Sequence, residues 1–231
     1  MADSLIAKNE FEGIEQVVHL SAGGESPMLC SHQNAIARFI TDKGQGERAR
    51  ALQDEVLQAT RKQCADLFSV SAESISLLGS ASEGINIVAY GIDWKAGDNV
   101  VIADVEFGSG VFPWLLLQER GVEVRFVRHR QWQIDIDDIA NLIDDRTQVV
   151  LMSHVSMFTG QRISLTALSA LVRSSNAKLV LDATHAAGVV EVDAGLADIV
   201  VSSCYKWMLG CLLYTSPSPR DATLSRMPSS A

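Results

Sequence analysis

Lys206 sits between Tyr205 and Trp207, shortly after the apolar run Ile199-Val200-Val201. A lysine flanked by two aromatic rings at a strand end reads as more than a solvated surface charge. Desolvation lowers a lysine's pKa and makes its amine a nucleophile toward carbonyl groups. The competing reading is a lysine that snorkels at a sheet edge. Upstream, Leu179-Val180-Leu181 runs into Asp182, and His185 follows on the same turn. An Asp there either caps the next helix or is a buried carboxylate that meets a cationic ligand atom. His154 closes another apolar run and is followed by Ser156, Thr159 and Gly160. His154, Asp182 and His185 have metal-ligand chemistry, but no short ligand motif such as HExxH supports it, and no metal is expected.

Two more turns carry possible binding groups. Leu78 is followed by Gly79-Ser80-Ala81-Ser82-Glu83-Gly84. Ser80 and Glu83 have capping-box spacing, so a helix starts here. Small residues let backbone N–H groups approach an anion, and a helix N-terminus favours negative charge, which suits a phosphate. An ordinary capped turn uses the same residues. The segment is neither G-x-G-x-x-G nor a P-loop, so it points away from dinucleotides and P-loop nucleotides. In Asp104-Val105-Glu106-Phe107-Gly108, Phe107 either offers a ring face to a flat ligand or caps the core.

The elements that must position these residues follow from periodicity. Residues 47–68 read as an amphipathic helix with Leu52, Val56, Ala59 and Leu67 near one face. Short apolar strands are expected at 75–78, 99–103, 122–127, 148–152, 178–181 and 199–202. Helices are expected between them at 82–90, 111–120, 136–142 and 165–172. This alternation implies an α/β fold with a mostly parallel sheet covered on both faces. Ligands in such folds sit beyond the carboxyl ends of the strands, where all the residues above fall.

Composition narrows the classes. The 231 residues are 47% hydrophobic and 20% charged, which is ordinary globular composition. A formal net charge of −9 argues against nucleic acid or an anionic membrane surface as a partner. Every long apolar run is interrupted, so no membrane span is expected. The N-terminus shows no secretory signal, and the four cysteines read as reduced thiols of a cytoplasmic protein.

Composition changes after Gly210. Residues 211–231 hold three of the five prolines. The peptide LLYTSPSPRD back-translates into sequencing-adapter DNA, and SRMPSSA fits the adapter's far end. The tail is therefore expected to be non-native and is set aside from the fold. The expected layout is an N-terminal segment over 1–46, a ligand-binding large domain over 47–210 that stops short, and the tail.

Asp182-x-x-His185 followed by Ser203-x-Tyr205-Lys206 resembles the class V aminotransferase superfamily of pyridoxal-phosphate (PLP) enzymes. That group includes cysteine desulfurases, selenocysteine lyases, kynureninases and isopenicillin N epimerase-like proteins. The resemblance spans nearly all of residues 1–210 and implies the PLP-dependent transferase fold, fold type I, with its C-terminal small domain missing here. It implies that Lys206 is the Schiff-base lysine and that Asp182 pairs with the cofactor's ring nitrogen. It places His185 facing the ring hydroxyl and Phe107 stacked on the ring. It assigns Ala81, Ser82, Ser203 and Tyr205 to the phosphate. Ser21-Ala22-Gly23-Gly24 with Pro27 resembles the loop near the substrate carboxylate. The expected activity is PLP chemistry on a small amino-acid substrate, first a cysteine desulfurase or selenocysteine lyase. The alternatives are an aminotransferase, a kynureninase-like or epimerase-like enzyme, or a PLP-fold binding protein without turnover. The full-length protein is expected to be a homodimer and the chain as given inactive. Two departures stand out: Tyr205 precedes the lysine where many desulfurases have His, and Ser156 or Met157 replaces an Asn common after this strand. Cys204 is given no sulfur-accepting role.

Overall fold

The alternating apolar runs form one seven-stranded sheet in a computed structural model that describes residues 7–210 and the backbone of 223–225. The strands are β1 (Ser76–Leu78), β2 (Asn99–Ala103), β3 (Glu123–Val127), β4 (Thr147–Ser153), β5 (Lys178–Asp182), β6 (Ile199–Ser202) and β7 (Thr223–Ser225). Their order is β1-β7-β6-β5-β4-β2-β3. The run from β6 to β3 is parallel, and β7 is antiparallel to both of its neighbours. Hence β1 points the same way as the parallel strands, and the carboxyl ends of all six share one edge.

The helices are α1 (Cys30–Lys43), α2 (Glu47–Phe68), α3 (Ala81–Gly91), α4 (Phe112–Leu116), α5 (Ile136–Ala140) and α6 (Leu165–Arg173). They cover both faces of the sheet, which is why β2 is buried at every position. Val101, Val150 and Leu181 face Phe68 of α2, Ile139 of α5 and Leu168 of α6. Val100, Leu151 and Val180 face the opposite way, toward Ile85 of α3 and Trp114 of α4. Fully burying each such side chain contributes about 1.5–3 kcal/mol. Among the described residues no helix is long and apolar enough to cross a membrane.

Four expectations need correction. Helix α2 has the expected limits, but Ala59 and Leu67 face solvent. Its C-terminal contact is made by Cys64, Ala65 and Phe68, because the stripe drifts around a 22-residue helix. The expected helix over 111–120 is a short α4 followed by a 3-10 turn, Leu117–Arg120, ended by Gly121 at φ +81°. Helix α1 was not expected at all. It buries no residue, and its N-terminus is closed by His32, whose Nδ1 accepts the Leu29 N–H at 3.2 Å. Finally, the tail set aside from the fold supplies β7, whose backbone fills the slot between β1 and β6. Backbone pairing of this kind asks little of the side chains, since two sheet edges offer N–H and C=O groups to any extended segment.

Candidate active site

Parallel pairing of β5 with β6 sets Asp182 opposite Val201, so the turns that leave these strands emerge together. Their first residues are bound to each other. Asp182 Oδ1 accepts the Thr184 N–H at 2.8 Å, and Thr184 Oγ1 accepts the Ser203 N–H at 3.1 Å. The Ala183 N–H donates to the Val201 carbonyl at 2.8 Å. Gly188, at φ +95°, lets the two turns touch: a Cβ there would lie 2.6 Å from the Trp207 carbonyl oxygen.

These ties bring Lys206, 6% exposed, beside His185 and Asp182. Lys206 Nζ is 2.8 Å from His185 Nε2. Burial pulls the lysine's pKa down, and the Asp182 charge partly opposes that. Burial and the adjacent lysine push His185 to about 4, so its imidazole is neutral and can accept a hydrogen bond from the amine. Burial raises Asp182, against its Thr184 hydrogen bonds and the lysine's charge. The snorkelling reading of Lys206 is thus excluded by its burial. Asp182 combines both of its readings, since it binds the turn and is itself buried.

Two rings flank the amine. Lys206 Nζ lies 5.6 Å from the centroid of Phe107 and 5.7 Å from that of Tyr205. Phe107 is half-exposed at the sheet edge, so it does not cap the core. Below it, Glu106 is 8% exposed. Its carboxylate accepts the Phe107 N–H at 2.9 Å, the Ser153 N–H at 2.8 Å and the Ser153 hydroxyl. Burial and the Asp182 charge raise its pKa to about 7. Glu106 has one signal only in the sequence, a carboxylate within three residues of the end of a mostly apolar strand.

Ala81 and Ser82 open α3 at the carboxyl end of β1. Ser80 Oγ accepts the Glu83 N–H at 3.1 Å, as the capping-box spacing requires. Glu83 reaches one residue further back than expected and accepts the Gly79 N–H at 2.7 Å. Ala81 is buried and Ser82 exposed. Ser203 is buried beside Thr184.

The N-terminal loop packs onto the lysine turn. The Ser26 N–H and hydroxyl both donate to the Tyr205 carbonyl at 3.0 Å. A Cβ on Gly23 would lie 3.0 Å from the Trp207 ring. His154 is buried, its N–H donates to the Asp182 carbonyl at 2.9 Å, and burial lowers its pKa. Ser156 Oγ accepts turn N–H groups from Phe158 and Thr159, and Met157 is half-exposed. Among the described residues no three His, Cys, Asp or Glu side chains gather as metal ligands.

The topology and the grouping of amine, imidazole and carboxylate at one sheet edge define an α/β protein of a known architecture. An apo cysteine desulfurase from Thermococcus onnurineus NA1 superposes on 99% of the chain and 58% of its own length, with a TM-score of 0.82 at 21% identity. A mutant of C-DES with glycine covalently linked to its PLP cofactor superposes on 97% of the chain and 60% of its own length, at TM-score 0.85 and 18% identity. Residues 40–212 match the family described as Aminotransferase class-V, and the chain belongs to that family. A probable cysteine desulfurase of Methanothermobacter thermautotrophicus is 30% identical over 84% of the chain and 50% of its own length. A cysteine desulfurase of Salmonella choleraesuis is 34% identical over 66% of the chain and 39% of its own length. The chain therefore spans half or less of these two curated relatives.

Proposed function

We propose that the chain carries the cofactor half of a pyridoxal 5′-phosphate enzyme that removes sulfur or selenium from a small amino acid, as a cysteine desulfurase or selenocysteine lyase does. The observation that carries this reading is the Lys206–His185 contact at 2.8 Å, with Asp182 acting on the same amine.

The residues suit that cofactor. Lys206 offers a desolvated amine, the form that attacks an aldehyde carbon. Asp182 is a buried carboxyl suited to a cationic ring nitrogen. Phe107 offers a ring face, and the N-terminus of α3, opened by Ala81 and Ser82, suits a phosphate. Ser203 and Tyr205 complete the proposed phosphate contacts. When bound, the cofactor would supply an electron sink for bonds at the substrate's α-carbon. Neutral His185 orients the Lys206 amine through a hydrogen bond at Nε2, and the Ser21–Pro27 loop packs on the lysine turn.

The sulfur chemistry is supported by the names of the similar proteins. The full-length protein is read as a cytoplasmic homodimer. Its net charge of −9 disfavours nucleic acid and anionic membranes as partners, while Val18, Leu20 and Ile40 leave apolar side chains exposed for a second copy. Residues 1–46 are read as the substrate-side segment, 47–210 as the large domain and 211–231 as a non-native tail.

Borohydride reduction of the full-length protein with PLP, followed by peptide mapping, is expected to place the pyridoxyl group on Lys206. Cysteine added to the unreduced protein is expected to release sulfide. A pyridoxyl group on another lysine overturns the site. Amino transfer to a keto acid without sulfide release overturns the sulfur chemistry.

A further inference from the structure

We infer that Glu106 is a positioning residue: by bridging the turn after β2 to the end of β4, it holds the Phe107 ring over Lys206. The inference rests on the proposed PLP site for its consequence, but its geometry is independent of any ligand.

The bridge is specific. Each carboxylate oxygen has a set task. Oε1 accepts the Phe107 N–H and the Ser153 hydroxyl, and Oε2 accepts the Ser153 N–H. Phe107 and Ser153 belong to different strand ends, 46 positions apart in the chain, and Glu106 joins them through three donors. A carboxylate with three donors is held in one orientation, which fixes the backbone from which Phe107 projects. The surroundings leave it little room to move. A Cβ on Gly110 would lie 2.8 Å from Glu106 Cγ. A carboxylate this buried, facing the second carboxylate of Asp182, is costly to charge. A glutamine would present one acceptor and two donors to a pocket built of donors. The Phe107 ring is half-exposed, so the bond to its own N–H helps set its place 5.6 Å from the amine.

The test uses the full-length protein with Glu106→Gln, Phe107→Leu and the double variant, and Ser153→Ala to break the same bridge from its other end. In the ligand-free protein, Glu106→Gln should speed amide exchange at Phe107 and Ser153 by about tenfold or more. Val101 and Val150 in the adjoining strands should keep their rates. Each single variant should weaken PLP binding by about tenfold, and the double variant should be no weaker than the worse single one, because Glu106 acts through Phe107. Unchanged exchange at both amides overturns the inference. So do equal increases across the sheet, or multiplicative losses of affinity in the double variant. Wild-type protein that takes up no PLP refutes the proposed cofactor, while the exchange arm still decides the role of Glu106. If Glu106→Gln does not fold, Ser153→Ala must show the local exchange effect at Phe107, and its absence overturns the inference.

Discussion

His185 Nε2 faces Lys206 Nζ at 2.8 Å, and the two bases share a space that disfavours a second proton. The imidazole is held near 4, below its ordinary 6.5, by burial and by the lysine's charge. The lowered value means that the unfolded chain binds this proton first. Stability therefore falls as pH drops from about 6.5 toward 4, and is unaffected by this group above that window. His185→Gln removes the titration. Its unfolding free energy is expected to decline less than the wild type's across that window, measured by urea unfolding at several pH values. A parallel decline in both proteins would refute the coupling.

Glu106 works in the opposite sense. Its folded value of about 7 stands above the ordinary 4.5, so the folded chain holds the proton longer than the unfolded one. Stability is then lost as pH rises from 4.5 to about 7. Over that interval the loss amounts to about 3 kcal/mol, from the size of the displacement. Glu106→Gln is less stable than wild type at low pH because its amide NH₂ meets the Ser153 N–H that Oε2 accepts. Its deficit is expected to shrink as pH rises from about 5 to 8. A deficit that stays constant or grows over that range would show that Glu106 is not a strained, buried carboxylate.

Asp182 is tested through turnover. Asp182→Asn keeps the Thr184 hydrogen bond but cannot carry the charge that a cationic ring nitrogen needs. The full-length variant is expected to keep cofactor binding and lose at least about a hundredfold in kcat, since a charge-assisted bond of about 1.5–3 kcal/mol is removed along with its electronic effect. Wild-type kcat in Asp182→Asn would reject the assignment.

The site was legible where chemistry coincides with a strong strand signal. Asp182 and Lys206 follow runs of three apolar residues that make parallel, doubly covered strands, so their position at the carboxyl edge could be read directly. Glu106 lies at a similar place but resembles any solvated acid in a loop. Only the donors of Ser153, distant in the chain, give it a role. Helix α1 was hidden for a different reason. It buries nothing: Ala35, Ile36 and Phe39 share one face but are only half-covered, too short an apolar stripe to stand out in the sequence. The β7 pairing could not be read from side chains at all, because it is made by backbone groups.

The turn after β3 offers a test of backbone strain away from the site. Arg130 and Gln133 exchange both backbone hydrogen bonds, at 2.8 and 3.0 Å, around a two-residue loop. Both loop residues have positive φ, +50° at Gln131 and +65° at Trp132. This is the primed turn that favours Asn-Gly, and each ordinary side chain there costs on the order of 1 kcal/mol. Trp132 recovers part of that by stacking on His129, with centroids 4.8 Å apart and planes at 20°. Gln131 is exposed and has no such compensation. Gln131→Asn should therefore stabilise the chain by about 0.5–1 kcal/mol, because Asn tolerates the left-handed region. Trp132→Gly should change stability little, since relief of strain and loss of the stack nearly cancel. Urea unfolding of the two variants beside wild type gives the comparison. A lower midpoint for Gln131→Asn, or a gain at Trp132→Gly larger than that at Gln131→Asn, would show that the strain is not distributed between the two residues as the dihedral angles and the stack require.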